Sequence, residues 1–90
     1  MYSLEPTPAE ISKAVAERFR AIRKQSGISQ EEMAERSGVS LGSLKRFERT
    51  GKISLESLLK LMHLLGRLNE FNHILIPNEN REDLEKLFTK

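Results

Sequence analysis

Cysteine and tryptophan are absent from this chain, tyrosine occurs once, and there are only three prolines and five glycines. Without cysteine there is neither a disulfide framework nor a thiolate metal site, so a reducing compartment, the cytoplasm, is the expected location. No apolar run is long enough to cross a bilayer, and the opening residues MYSLEPTPAE lack the basic start and apolar stretch of an export signal. The glycines are dispersed, four of them at expected helix boundaries, which excludes a phosphate-cradling loop. His63 and His73 fall on different expected helices, and Glu31, Glu32 and Glu35 read as the first-turn acids of one helix rather than a metal cluster. No catalytic set emerges, no cofactor or metal is called for, and an enzyme is disfavoured.

Charge is present but nearly balanced, with 15 basic and 13 acidic residues for a net +2 over 90 residues. Its distribution carries the information. Residues 1–17 hold one basic residue against three acidic, residues 18–52 nine against four, and residues 53–90 five against six. The positive excess is concentrated in the middle of the chain, the footprint expected of a surface that faces nucleic acid. Length allows one domain with a modest core, for which partner subunits would add stability.

The stretch Ser29–Glu48, SQEEMAERSGVSLGSLKRFE, contains two short helices and a tight turn. Ser29 caps the first, with Glu32 placed to close a capping box, and Gly38 supplies the positive φ that ends it. Ser40 caps the second, which runs to about Arg49 with Leu44 and Phe47 facing inward. Ala34 is small enough for the two to approach closely. Such a pair is a helix-turn-helix, whose second helix enters the major groove of DNA. Its outer face carries Ser43, Lys45, Arg46 and Arg49.

Around this pair, residues 1–7 form an arm, residues 8–76 the domain and residues 77–90 a tail. Thr7, Pro8 and Glu10 start a helix that runs to about Gln25, with Ile11, Val15, Phe19 and Ile22 as its core stripe. Arg18, Arg20, Arg23 and Lys24 ring its last turns, where positive charge suits the helix dipole. Ser54 caps a helix from Leu55 to Leu65, with Leu55, Leu58, Leu59, Met62 and Leu65 turned inward. Leu61 and Leu64 widen its apolar arc beyond what one core face needs. Leu68, Phe71, Ile74 and Leu75 follow at helical spacing over residues 68–76. Together, Leu61, Leu64, Leu68, Phe71, Ile74 and Leu75 form an expected dimer or partner surface, unless all are spent inside one subunit. Pro77 breaks the pattern, and Asn80 caps a final short helix with Leu84, Leu87 and Phe88 in a stripe.

Any amphipathic helix pair in a small bundle carries solvated lysines and arginines. More specific is the set Gln30, Ala34, Gly38, Val39, Ser40, Leu44 and Glu48, which resembles the signature of the XRE family of lambda-repressor-like regulators over about residues 12–66. The resemblance implies an all-α, compact five-helix domain, here with a short additional C-terminal helix. It implies a structural salt bridge between Arg23 and Glu48. It also implies that Gln30 touches the DNA backbone or braces the recognition helix, and that Leu41, Gly42, Ser43, Lys45 and Arg46 face base edges or adjoining phosphates.

Leu41 and Gly42 depart from the family pattern, since polar readers often stand there. Direct readout is therefore expected from Ser43, Lys45 and Arg46, with Ser40, Arg49 and Lys52 on phosphates and Ser29 beside Gln30 at the interface. The implied activity is that of a transcriptional regulator, a repressor, binding an inverted repeat of double-stranded DNA as a homodimer. The segment FERTGKISLESLLKLMHLLGRLNEFNHIL, with the proline and acidic-start helix beyond it, also resembles the small HipB-like antitoxins. Those repress their own operon and bind a HipA-type kinase toxin. The alternative is a protein-interaction module that neutralises a partner without binding DNA.

Overall fold

The computed structural model describes residues 5–77. Four α-helices, α1 (Pro8–Gln25), α2 (Gln30–Ser37), α3 (Leu41–Thr50) and α4 (Leu55–Leu64), are followed by a single 3₁₀ turn at Leu68–Phe71, and no strand occurs among the described residues. Each α-helix begins on a hydroxyl cap. Thr7 Oγ1 accepts from the Glu10 N–H at 3.1 Å, Ser29 Oγ from Glu32 at 3.0 Å, Ser40 Oγ from Ser43 at 3.1 Å and Ser54 Oγ from Ser57 at 3.1 Å. Caps of this kind contribute about 1 kcal/mol each and set the first residue of every helix. The carboxylate of Glu32 meets Arg36 one turn further on, at 2.6 Å.

The core is small and nearly all aliphatic and aromatic. Ala16 and Phe19 of α1, Met33 of α2, Val39 of the turn, Leu44 and Phe47 of α3 and Leu61 of α4 are buried, with Val15, Ile28, Ala34, Ile53, Leu58, Leu64 and Leu65 packed around them. α1 lies on α3, and α2 touches both α3 and α4. The rings of Phe19 and Phe47 sit 5.6 Å apart at 55°, a tilted pair that locks α1 to α3. No helix among the described residues is long and apolar enough to cross a membrane.

Three details differ from the expectations. Ile11 is 48 % exposed, because the buried face of α1 centres on Ala16, Phe19 and Arg23, roughly a third of a turn away at 3.6 residues per turn. α4 also turns a different face inward: Leu61, expected on a dimer or partner surface, is wholly inside the domain, whereas Leu55, expected inside, is 64 % exposed. Leu61 is therefore a core residue, and Leu64 is partly buried against the same core. When apolar residues occupy more than half of a helix, spacing leaves its rotation open and the neighbours choose the face.

The fifth helix, expected over residues 68–76, is instead the 3₁₀ turn at Leu68–Phe71 followed by further turns, with Leu75 at φ +61°. Its hydrogen bonds run three residues back, from Glu70 N–H to Arg67, Asn72 to Asn69 and Ile74 to Phe71. No side chain caps its start, and Asn69 and Asn72 favour local turns over a helix that would be short in any case. Four α-helices thus stand where five helices were expected. The expected additional helix beginning at Asn80 lies outside the described residues.

Candidate nucleic-acid interface

The interface is organised by one buried charge. Glu48, on the inner edge of α3, has only 4 % of its side chain exposed. Arg23 of α1 grips it with two hydrogen bonds, Nε to Oε2 at 2.7 Å and Nη2 to Oε1 at 2.9 Å. This is the bidentate fork that a guanidinium offers a carboxylate. The remaining nitrogen of the same guanidinium donates to the Ile28 carbonyl at 2.9 Å, fixing the loop between α1 and α2. Hydrogen bonding to Glu48 holds the Arg23 guanidinium above its ordinary pKa, against the opposing effect of burial.

Gln30, the first residue of α2, donates from Nε2 to Glu48 Oε1 at 3.1 Å. A single carboxylate therefore ties α1, α2 and their loop to α3, so the angle of α3 is set by hydrogen bonds as well as by apolar packing. No buried side-chain nitrogen or oxygen among the described residues lacks a partner. Gln30 thus braces α3, one of the two roles expected for it.

The opposite side of α3 is open. Gly42, Ser43, Lys45, Arg46 and Arg49 are exposed and Leu41 is half-buried. Arg36 and Lys60, elsewhere on the surface, pair with Glu32 and Glu56. Among the described residues, Lys45, Arg46 and Arg49 form no such pair. Unneutralised cations on one helix face produce a local positive field suited to an anionic polymer. Ser40 donates to Ser43 Oγ at 2.8 Å while capping α3, which leaves the Ser43 hydroxyl proton free to point outward. Nothing lies within 4 Å of where a Gly42 side chain would begin, so the first turn of α3 is bare.

The residues singled out from sequence thus fall into separate places. Ser40, Leu41, Gly42, Ser43, Lys45, Arg46 and Arg49 share the outer side of α3 and its cap, and Ser29 and Gln30 begin the adjoining α2. Leu68, Phe71, Ile74 and Leu75 lie away from this face in and after the 3₁₀ turn, where Leu68, Ile74 and Leu75 are exposed and Phe71 is half-buried.

Three further residues border this face without having been expected there. Arg20 of α1 lines a cleft with Gln30, Lys45, Glu48 and Arg49. Its signal was its position one turn before Arg23, on the same side of α1. Ser54 and Ser57, at the start of α4, line a second cleft with Ser43, Arg46 and Lys52. Only four residues separate the end of α3 from the start of α4, so the two ends must be close.

The sequence that builds this geometry matches one known family. A family model described as Helix-turn-helix, of the XRE type, matches residues 19–70. No curated protein and no solved structure matches the chain.

Proposed function

The chain belongs to the XRE-type helix-turn-helix family of DNA-binding regulators, and on that premise we propose that it is a sequence-specific repressor that binds an inverted repeat as a homodimer. The observation that carries this is the exposed row Ser43, Lys45, Arg46 and Arg49, whose three cations form no ion pair among the described residues, on a helix whose back is clamped by Arg23, Gln30 and Glu48. Arg46 and Lys45 read base edges, Ser43 donates its free hydroxyl proton, and Leu41 meets a thymine methyl. Ser29, Arg49 and Lys52 hold phosphates, which position the domain without specifying sequence, whereas the Ser40 hydroxyl is committed to Ser43.

Half-sites about one helical turn, roughly 34 Å, apart follow from a two-fold dimer. A selection from random duplexes at two salt concentrations tests the reading. An enriched inverted repeat supports it, and the absence of any enriched sequence overturns it. Arg46→Ala is expected to remove about 1–3 kcal/mol of discrimination at one base pair. Arg49→Ala should weaken cognate and random duplexes alike. Equal effects of both variants on both kinds of duplex would refute this division of labour.

The dimer surface is assigned to the exposed apolar residues Leu68, Ile74 and Leu75 with half-buried Phe71 beside them. Leu68→Glu should turn a dimer into a monomer in sedimentation equilibrium while leaving the helical content unchanged. A second reading is favoured by the run Ile74, Leu75 and Ile76, which is 54 %, 92 % and 63 % exposed. Such a strip suits a protein partner, and the resemblance to HipB-like antitoxins supplies a candidate in a HipA-type kinase toxin. In that case the chain is a cytoplasmic antitoxin that represses its own operon. A module that binds the partner without DNA is the remaining alternative, and binding to duplex DNA with no salt dependence would support it.

A further inference from the structure

Arg20 lies on α1, outside the helix-turn-helix, yet its side chain borders the cleft that also holds Gln30, Lys45, Glu48 and Arg49. Around that cleft the charges do not balance. The one carboxylate, Glu48, is already engaged by Arg23 through two short hydrogen bonds and by Gln30 through a third. Arg20 reaches it only at 3.8 Å, beyond hydrogen-bond length, and keeps 56 % of its side chain exposed. Glu48 therefore orients Arg20 without consuming its charge. Lys45 and Arg49 add two further cations from α3. The Gln30 amide has two N–H groups, of which one is directed to Glu48, leaving the second as a donor. The cleft presents three cations and a spare amide N–H, and its one carboxylate is already occupied, so the ligand it suits is an anion.

Resting on the DNA-binding reading, we propose that this cleft seats one backbone phosphate and that Arg20 is a phosphate contact delivered by α1. The planar guanidinium donates two parallel N–H groups to a phosphate. Lys45 and Arg49 flank the phosphate from α3, and the spare Gln30 N–H completes the pocket. The footprint on DNA then extends from the recognition helix across the end of α1, and the same Glu48 that fixes the angle of α3 aligns the arginine that anchors the neighbouring strand.

The test compares Arg20→Gln and Arg20→Lys with the unmodified chain, using the selected duplex and a random-sequence duplex titrated between about 50 and 200 mM salt. Thermal unfolding serves as a control. Arg20→Gln is expected to lower the slope of log affinity against log salt by about 0.9 for each protomer bound, so that the affinity gap to the unmodified chain narrows about threefold per protomer, about tenfold for a dimer, over that range. The preference for the selected duplex over the random one stays unchanged, as does the melting temperature, and Arg20→Lys retains the slope. An unchanged slope in Arg20→Gln, with or without weaker binding, overturns the proposal and leaves the DNA-binding reading intact. Absence of salt-dependent binding by the unmodified chain overturns both.

Discussion

Arg23→Ala is expected to destabilise the domain by about 3–5 kcal/mol, the cost of leaving a buried charge without its partner. The side chains of Arg23 and Glu48 are 9 % and 4 % exposed, so water cannot replace the lost bonds. For a domain of this size a loss of 3 kcal/mol lowers Tm by at least ~12 °C. Total stability of such domains is only about 5–15 kcal/mol, so part of the population would be unfolded at moderate temperature. The Ile28 carbonyl also loses its donor, which loosens the loop before α2. Thermal unfolding followed by circular dichroism measures the effect.

A paired variant separates burial from mere contact. Arg23→Met with Glu48→Leu removes both charges and is expected to recover most of the lost stability, since apolar replacement of a buried ion pair is often neutral or stabilising. DNA affinity should not recover with it, because Gln30 and Arg20 then lose the acceptor that orients them. Equal instability of the single and double variants would show that the pair does not act as a buried unit.

Gly51→Ala is the second large effect. Gly51 ends α3 at φ +82°, and a Cβ built there would stand 2.9 Å from the Ser12 carbonyl carbon and 3.0 Å from both the Ser12 oxygen and the Lys13 nitrogen. Those are backbone atoms in the middle of α1, and they cannot rotate away. Strain in the left-handed region and overpacking together should cost about 2–4 kcal/mol. Relief requires α1 to move off the end of α3, which would strain the Phe19–Phe47 contact and the Arg23–Glu48 bridge between the same two helices.

Gly38→Ala is the matched comparison. Gly38 has φ +80° but nothing within 4 Å of the added carbon, so only the conformational penalty of about 1 kcal/mol applies. Denaturant unfolding of the two variants side by side isolates the contribution of the close approach. Equal losses at both positions would mean that α1 yields freely.

The expected starts of the four α-helices and the expected turn between α2 and α3 agree with the fold because their causes are local. Thr7, Ser29, Ser40 and Ser54 each cap a residue three positions ahead, and Gly38 needs no distant partner to adopt a positive φ. The exposed row on α3 was legible for the same reason, since the buried positions Leu44 and Phe47 dictate which side of a helix remains outside. Leu61 was misplaced because α4 has leucines on most of its circumference, and periodicity cannot choose among faces that are all apolar. The segment after Gly66 was misplaced because its apolar spacing is compatible with a helix, while its length and its asparagines favour turns.

Sequence order alone determined the caps, the helix-turn-helix and the concentration of positive charge over the middle of the chain, because each depends on residues within a few positions of one another. Packing decided the rest. The clasp of Arg23 on Glu48 joins residues 25 positions apart, Gln30 reaches the same carboxylate from 18 positions away, and Gly51 lies against the backbone of Ser12 on another helix. A family resemblance can point to such a pair, but no spacing rule yields it, because the separation of two side chains in space depends on how every intervening helix is rotated. That rotation is set by which side chains fill the core together, here Phe19, Met33, Leu44, Phe47 and Leu61. For that reason the recognition helix could be found in the chain, whereas its angle and the arginine of α1 that stands beside it required the folded domain.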